Sequence, residues 1–92
     1  MELKEIQAKV REKYYKYDVR SGRLFLLTVL FEEVGELAEA VRKEDLGAIQ
    51  EELVDVMFMV VSLANLFNID LERKLIEKYM EQDPSGRWDL PE

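Results

Sequence analysis

The chain contains no proline before Pro84 and only four glycines, at positions 22, 35, 47 and 86. Proline and glycine are the residues that most strongly disfavour helix interiors. Their scarcity therefore leaves most of the chain free to form long helices. Hydrophobic residues also recur at spacings of three and four, which is the period of one helix face. The sequence therefore predicts the all-α fold class, with helices separated by short turns.

Four helices are predicted, and the breaks between them fall in the segments DVRSG, KEDLG and NID. The predicted spans are roughly Leu3–Tyr17, Arg23–Arg42, Leu46–Phe67 and Leu71–Glu81. Asp45 and Asp70 are suitable N-caps for the third and fourth helices. The predicted packing stripes are Leu3, Ile6, Val10, Tyr14 and Tyr17 on the first helix, and Leu27, Leu30, Val34, Leu37 and Val41 on the second. Because the second and third helices share a short connection, they should form a central antiparallel hairpin.

The length of 92 residues suits a single domain, residues 1–92, of which residues 82–92 are predicted to be an irregular tail. The chain has no cysteine and no histidine, which excludes disulfides, zinc–thiolate and zinc–histidine sites, and Ser-His-Asp catalysis. A net charge of -7 argues against nucleic acid as a partner. The longest apolar stretch, about 15 residues, is too short to span a membrane. With a charged N-terminus unlike a signal peptide, these features predict a cytoplasmic protein without a membrane partner.

Two acidic segments lie on either side of the predicted turn. Glu36 and Glu52 are each eight residues from Glu44, the middle of that turn. Glu33 and Asp55 are each eleven residues from it. Since both helices rise by the same distance per residue, the two pairs should face each other across the hairpin.

Four carboxylates gathered at the edge of a core repel one another, and a cation would relieve that repulsion. A site with only oxygen ligands suits magnesium, manganese or calcium. Such a site suggests metal-assisted attack of water on a phosphate. The alternative is that these residues are solvated helix faces in a structural acidic bundle that holds no metal.

The two segments also match the signature of a known family. The sequences EEVGE (32–36) and ELVD (52–55), separated by fifteen residues, resemble the Glu-Glu-x-x-Glu and Glu-x-x-Asp motifs of the MazG-type nucleoside triphosphate pyrophosphohydrolases. These enzymes form part of the all-α NTP pyrophosphatase superfamily. The resemblance covers about Phe25 to Leu75. A sister branch that hydrolyses phosphoribosyl-ATP usually carries a histidine after the second motif, so the lack of histidine favours the MazG type.

The resemblance implies an enzyme that splits (deoxy)nucleoside triphosphates into monophosphate and pyrophosphate. It implies a magnesium ion, with manganese as an alternative, held by Glu33, Glu36, Glu52 and Asp55. A nearby glutamate, Glu32 or Glu36, is then the candidate catalytic residue that orients or deprotonates the attacking water. The resemblance also implies that protomers pack into a four-helix bundle, as a homodimer or homotetramer.

Other residues are candidates for substrate binding. Phe58, Met59 and Ser62 continue the face of Asp55 and are predicted to line a base pocket, with core packing as the alternative for Phe58 and Met59. The tyrosines within 14–17 offer a stacking ring, or else pack the first helix onto the hairpin. Lys78 and Arg87 loosely match a lysine and an arginine that family members often carry after the third helix. The asparagine usual between those two has no counterpart here.

A second function is compatible with the same fold. A non-catalytic helical module would act through oligomerisation or regulation and would not need to hydrolyse nucleotides. Retention of all four carboxylates favours the enzyme.

Overall fold

The computed structural model describes residues 1–82 of the chain. Its helices are α1 (Leu3–Ser21), α2 (Arg23–Arg42), α3 (Leu46–Leu66) and α4 (Leu71–Leu75), and a short π-helix, Ile76–Met80, follows α4. These 82 residues contain no strand, so the predicted all-α class is confirmed. The predicted bounds of α2 and the predicted start of α3 are also confirmed. Arg87 and most of the predicted irregular tail lie outside the described residues.

The α2–α3 hairpin is the most extensively packed helix pair of the described chain. Glu44 reverses the chain between the helices with a left-handed φ of 53°. The backbone N–H of Glu44 donates to Val41 O (3.0 Å), and that of Asp45 donates to Ala40 O (3.1 Å). The Asp45 carboxylate then accepts from Ala48 N at 3.1 Å, which confirms the predicted N-cap of α3. These bonds fix the register in which α2 and α3 face each other.

The first helix is longer than predicted. The segment 18–21 was expected to break α1, but the helix continues to Ser21 and ends at Gly22, which has φ 89°. Asp, Val, Arg and Ser are all tolerated in a helix, whereas a φ of this sign favours glycine. A single residue therefore joins α1 to α2.

The predicted packing stripes are confirmed only in part, because Leu3, Val10, Leu30 and Leu37 are half-buried whereas other members are exposed. On α1, Ile6 and Tyr17 are exposed, whereas Gln7 and Asp18 are buried. On α2, Leu27, Val34 and Val41 are exposed, and the fully buried residues are instead Leu26 and Ala40.

A buried polar network determines which face of α1 packs inward. Gln7 Nε2 donates to Asn65 Oδ1 (3.1 Å) and to Ile69 O (2.6 Å). Gln7 Oε1 accepts from Leu71 N (3.2 Å), and Asn65 Nδ2 donates to Gln7 O (3.1 Å). Buried polar groups need such partners. The network therefore ties α1 to the end of α3 and to the start of α4.

The predicted fourth helix is present but irregular. The Asp70 carboxylate accepts from Arg73 N at 3.1 Å, so the predicted N-cap is confirmed. After Leu75 the backbone widens into the π-helix, and Glu81 N donates to Ile76 O at 3.0 Å. Within residues 1–82, no single helix is long and apolar enough to cross a membrane. Among the described helices, α3 taken together with Leu71–Met80, across a bend of 108°, is the one pair that reaches the necessary length and apolar composition.

Candidate metal centre

The face of α2 that packs on the hairpin core carries one glutamate. Leu26, Glu33 and Ala40 follow one another at intervals of seven residues, which places them on one helix face. Leu26 and Ala40 are buried and Glu33 is half-buried. Glu36 lies almost one turn further along and is exposed, and Glu52 of α3 is half-buried. The packing of the hairpin therefore partly removes Glu33 and Glu52 from solvent.

Three of the four predicted metal ligands come together. Glu33, Glu36 and Glu52 each offer a carboxylate oxygen, and these oxygens all lie within 4.8 Å of one another. One oxygen of Glu33 and one of Glu52, in each case Oε2, are buried and have no hydrogen-bond partner. No lysine or arginine within residues 1–82 forms an ion pair with any of the three. This carboxylate cluster therefore contains negative charge that the described residues do not neutralise.

The crowding of carboxylates perturbs the protonation of Glu52. The pKa of Glu52 is raised from 4.5 to about 7, chiefly by desolvation and then by the neighbouring carboxyl groups of Glu33 and Glu36. A carboxyl group with this pKa is only partly ionised near neutral pH. A divalent cation would replace the shared proton and satisfy the buried oxygens.

Asp55 and Glu32 are not members of the cluster. Asp55 is half-buried, one helical turn beyond Glu52, and its carboxylate is not within 4.8 Å of all three clustered groups. Glu32 is exposed on α2. Glu39, also exposed, pairs with Lys43 at 2.8 Å, and that hydrogen bond lowers the pKa of Glu39. The metal and catalytic roles assigned to Asp55 and Glu32 stay predictions.

An open groove of about 340 Å³ adjoins the cluster on the side of the turn. It is lined by Glu36 and Glu52 of the cluster and by residues near the turn, including Lys43. Sequence reasoning missed Lys43, because its position in the turn gave no indication that its side chain would share a groove with the clustered carboxylates. The positively charged side chain of Lys43 in this groove offers a contact for an anionic ligand. A larger cavity of about 370 Å³ is lined by residues near the two ends of the described chain, including Lys4 and Asp70. It includes none of the clustered carboxylates.

The chain also resembles known proteins in sequence. Residues 22–86 match the family described as "MazG nucleotide pyrophosphohydrolase domain". The chain belongs to the MazG family. It is also 32% identical, over 106 aligned residues, to the "Uncharacterized protein YpjD" of Bacillus subtilis (strain 168). That alignment covers 94% of this chain and 89% of YpjD.

The residues predicted to line a base pocket in this MazG domain are mostly buried. Phe58 is half-buried and meets the Tyr14 ring edge-to-face, with centroids 5.0 Å apart and planes at 87°. Met59 and Ser62 are 7% and 1% exposed. In this conformation all three residues pack within the helices, and their substrate contacts stay predictions.

Lys78, the predicted basic contact that falls within the described residues of the MazG domain, does not line the groove beside the cluster. Lys78 is half-buried in the π-helix, and its Nζ lies 5.7 Å from the centroid of the Tyr79 ring. On α1, Tyr15 is covered by the Arg11 guanidinium group at 4.0 Å, and Lys16 lies near Tyr17 at 5.1 Å. These contacts show side chains packing locally, and none of them involves the carboxylate cluster.

Proposed function

We propose that this MazG domain hydrolyses (deoxy)nucleoside triphosphates to the monophosphate and pyrophosphate, using magnesium at the carboxylate cluster. Family membership supports nucleotide pyrophosphohydrolase activity in general. The cluster of Glu33, Glu36 and Glu52, with two buried carboxylate oxygens that lack partners, is the observation that supports the metal-dependent form.

The donor set fits magnesium. Leaving a buried carboxylate oxygen without a partner costs free energy, and metal coordination is one of the arrangements that offset this cost. Magnesium takes oxygen ligands from a few carboxylates and keeps positions for water and phosphate oxygens. Glu33, Glu36 and Glu52 would hold the ion, and Asp55 would join them after a change of rotamer. Manganese, which also accepts carboxylate ligands, is the alternative.

When bound, the ion supplies the positive charge that offsets the charge of the triphosphate. Glu32 or Glu36 accepts a proton from the attacking water. Both are exposed and therefore accessible to solvent. The water oxygen then bonds to a phosphorus atom as the bridge between the α and β phosphates breaks, and pyrophosphate departs.

Lys43 is proposed to bind the phosphates. It lines the 340 Å³ groove together with Glu36 and Glu52. Its contact with Glu39 is an exposed i,i+4 ion pair, and such pairs contribute little to stability. Lys43 can therefore exchange Glu39 for a phosphate oxygen at little cost. This arrangement directs the triphosphate towards the turn and the nucleoside along the hairpin in the other direction.

We also propose that protomers associate as a homodimer or homotetramer. Large apolar side chains are exposed on α2: Leu24, Phe25, Leu27, Phe31, Val34 and Val41. A second exposed apolar set lies on α3: Leu46, Leu53, Val54 and Met57. Contiguous exposed apolar surface is unusual on monomers and is typical of an interface.

The test is a screen for pyrophosphate release from the common NTPs and dNTPs with Mg²⁺, Mn²⁺ or Ca²⁺. We expect release with magnesium and loss of turnover in Glu36→Gln and Glu52→Gln, with helicity unchanged by circular dichroism. Glu51→Gln is the matched control, because Glu51 is exposed, adjoins Glu52 in sequence and is absent from the cluster.

Two results would overturn the proposal. Absence of pyrophosphate from every nucleotide and metal would favour the non-catalytic oligomerisation module. Near-normal activity of Glu52→Gln would place the active site elsewhere. Asp55→Asn separately tests whether the fourth predicted ligand takes part in turnover.

A further inference from the structure

A buried acidic residue lies outside the carboxylate cluster. Asp18, in the last turn of α1, is 9% exposed. No lysine or arginine within residues 1–82 forms an ion pair with it. Burial raises the pKa of Asp18, and the Ser62 hydroxyl opposes that rise. Because an unpaired buried carboxyl group destabilises a fold, its presence here calls for a ligand.

Ser62 is buried as well, and its hydroxyl group lacks a hydrogen-bond partner within residues 1–82. Its side chain is 1% exposed, and the Asp18 carboxyl group is a neighbour. A helical serine or threonine usually satisfies its hydroxyl on the carbonyl four residues earlier. Thr28 does so, since its Oγ1 donates to Leu24 O at 2.9 Å. The Ser62 hydroxyl therefore remains available to a further partner.

Ser62 lies on the same face of α3 as Glu52 of the carboxylate cluster. Glu52, Asp55, Met59 and Ser62 follow at spacings of three and four, and so form one stripe along α3. At 1.5 Å per residue, Ser62 lies about 10 Å beyond Asp55 and about 15 Å beyond Glu52. This separation is comparable to the reach from the phosphates of a nucleotide to the outer edge of its base.

We propose that Asp18 and Ser62 read the base of the nucleotide and select bases that carry an amino group, cytosine or adenine. This inference rests on the proposed function, which places the phosphates at the cluster. The Asp18 carboxyl oxygen accepts from the exocyclic amine, which is the pairing that acidic side chains make with cytosine N4. The Ser62 hydroxyl donates to the neighbouring ring nitrogen.

The same pair disfavours bases with a carbonyl in place of the amine. Uracil and hypoxanthine present an acceptor oxygen there, which would face the Asp18 carboxyl oxygen without a hydrogen between them. A site that is built to pair with a donor rejects an analogue that lacks the donor, because its own polar group is left unpaired.

The base reaches this pair by a movement of α1. Asp18 and Ser62 are 9% and 1% exposed, so the last turn of α1 would have to move away from α3 to admit a base. Gly22, the single residue between α1 and α2, has φ 89° and no atom within 4 Å of the position that a Cβ would occupy. Because glycine accepts a wide range of backbone angles, this joint is where such a movement costs least.

The experiment compares nucleotides in matched pairs, in which one base carries an amino group and the other carries a carbonyl at the same position. We expect kcat/KM for pyrophosphate release to be about ten- to a hundredfold higher for dCTP than for dUTP, and for dATP than for dITP, as for a hydrogen bond to a charged group. Asp18→Asn should shrink or invert both ratios, because its amide group donates to a carbonyl. Ser62→Ala should reduce the preference several-fold. Glu12→Gln, an exposed acid on the same helix, should leave the ratios unchanged.

Binding of dCMP and dUMP, measured by calorimetry, separates this inference from the proposed function. A preference for dCMP that Asp18→Asn removes supports base reading even when no nucleotide is hydrolysed. Equal binding of the two, or equal kcat/KM within each triphosphate pair, overturns it while leaving pyrophosphate release intact. A folded Asp18→Asn or Ser62→Ala protein with wild-type ratios also overturns it.

Discussion

Lowering the pH should weaken magnesium binding at the carboxylate cluster over a range in which an ordinary glutamate would not respond. The pKa of Glu52 is raised to about 7. About nine-tenths of the chains therefore carry ionised Glu52 at pH 8, and about one-tenth do at pH 6. Because the metal must displace the proton, the apparent affinity for Mg²⁺ should fall about tenfold between these values. A glutamate that titrated near 4.5 would give almost no change.

The assay is calorimetric titration with Mg²⁺ at pH 6, 7 and 8, in two buffers with different ionisation enthalpies. Proton release per bound ion should approach one at pH 6 and fall towards zero at pH 8. Glu52→Gln should bind the metal more weakly and with much less pH dependence, whereas Glu51→Gln should behave like the unmodified protein. Equal affinity at pH 6 and pH 8 would refute the reasoning.

The same protonation affects the stability of the metal-free protein. A raised pKa means that the folded chain holds the Glu52 proton more tightly than the unfolded chain. The resulting stabilisation is fully present below about pH 4.5 and is lost as the pH rises through about 7. The increase in Tm on adding Mg²⁺ should therefore grow from pH 5 to pH 8. An increase that is constant across this range would contradict the assignment.

Three further predictions concern other parts of the molecule. Gln7→Ala removes three side-chain hydrogen bonds. It should lower the free energy of unfolding by about 3 kcal/mol in urea denaturation. The control Gln50→Ala, at an exposed position, should change that free energy little. Lys43→Gln should raise KM for the triphosphate more than it lowers kcat in steady-state kinetics, and an unchanged KM would remove Lys43 from the phosphate site. Phe31→Glu should shift the protein to a smaller species in light scattering if the exposed apolar side chains of α2 form a subunit interface. An unchanged mass would exclude Phe31 from such an interface.

The hairpin could be predicted from sequence because its determinants are local. The KEDLG turn and the Asp45 cap mark where α2 ends and α3 begins. Counting residues from Glu44 then works, because two antiparallel helices rise equally per residue. The meeting of Glu33, Glu36 and Glu52 follows from that register. Whether Asp55 joins them depends on its side-chain rotamer, which residue counting cannot supply.

The orientation of α1 could not be predicted in the same way. Hydrophobic spacing pointed to Ile6 and Tyr17 as inward-facing residues, but both are exposed. The buried side of α1 is held by Gln7 and Asp18, which are polar and so carry no signal in a hydrophobic pattern. Gln7 bonds to Asn65 and Asp18 lies near Ser62. Both neighbours are more than forty residues away in sequence, and only the folded chain shows that they meet.

The amide network of Gln7 and Asn65 also specifies how α1 is aligned along its axis. An interface made only of aliphatic side chains tolerates a slip, because one methyl group can replace another. A slip of α1 by one turn, about 5.4 Å, would separate Gln7 from Asn65, Ile69 O and Leu71 N together. Buried polar pairs specify register in this way in other helical assemblies. Replacing Gln7 by leucine and Asn65 by alanine together would thus preserve the packing but permit several alignments of α1. Only one of these alignments places Asp18 opposite Ser62.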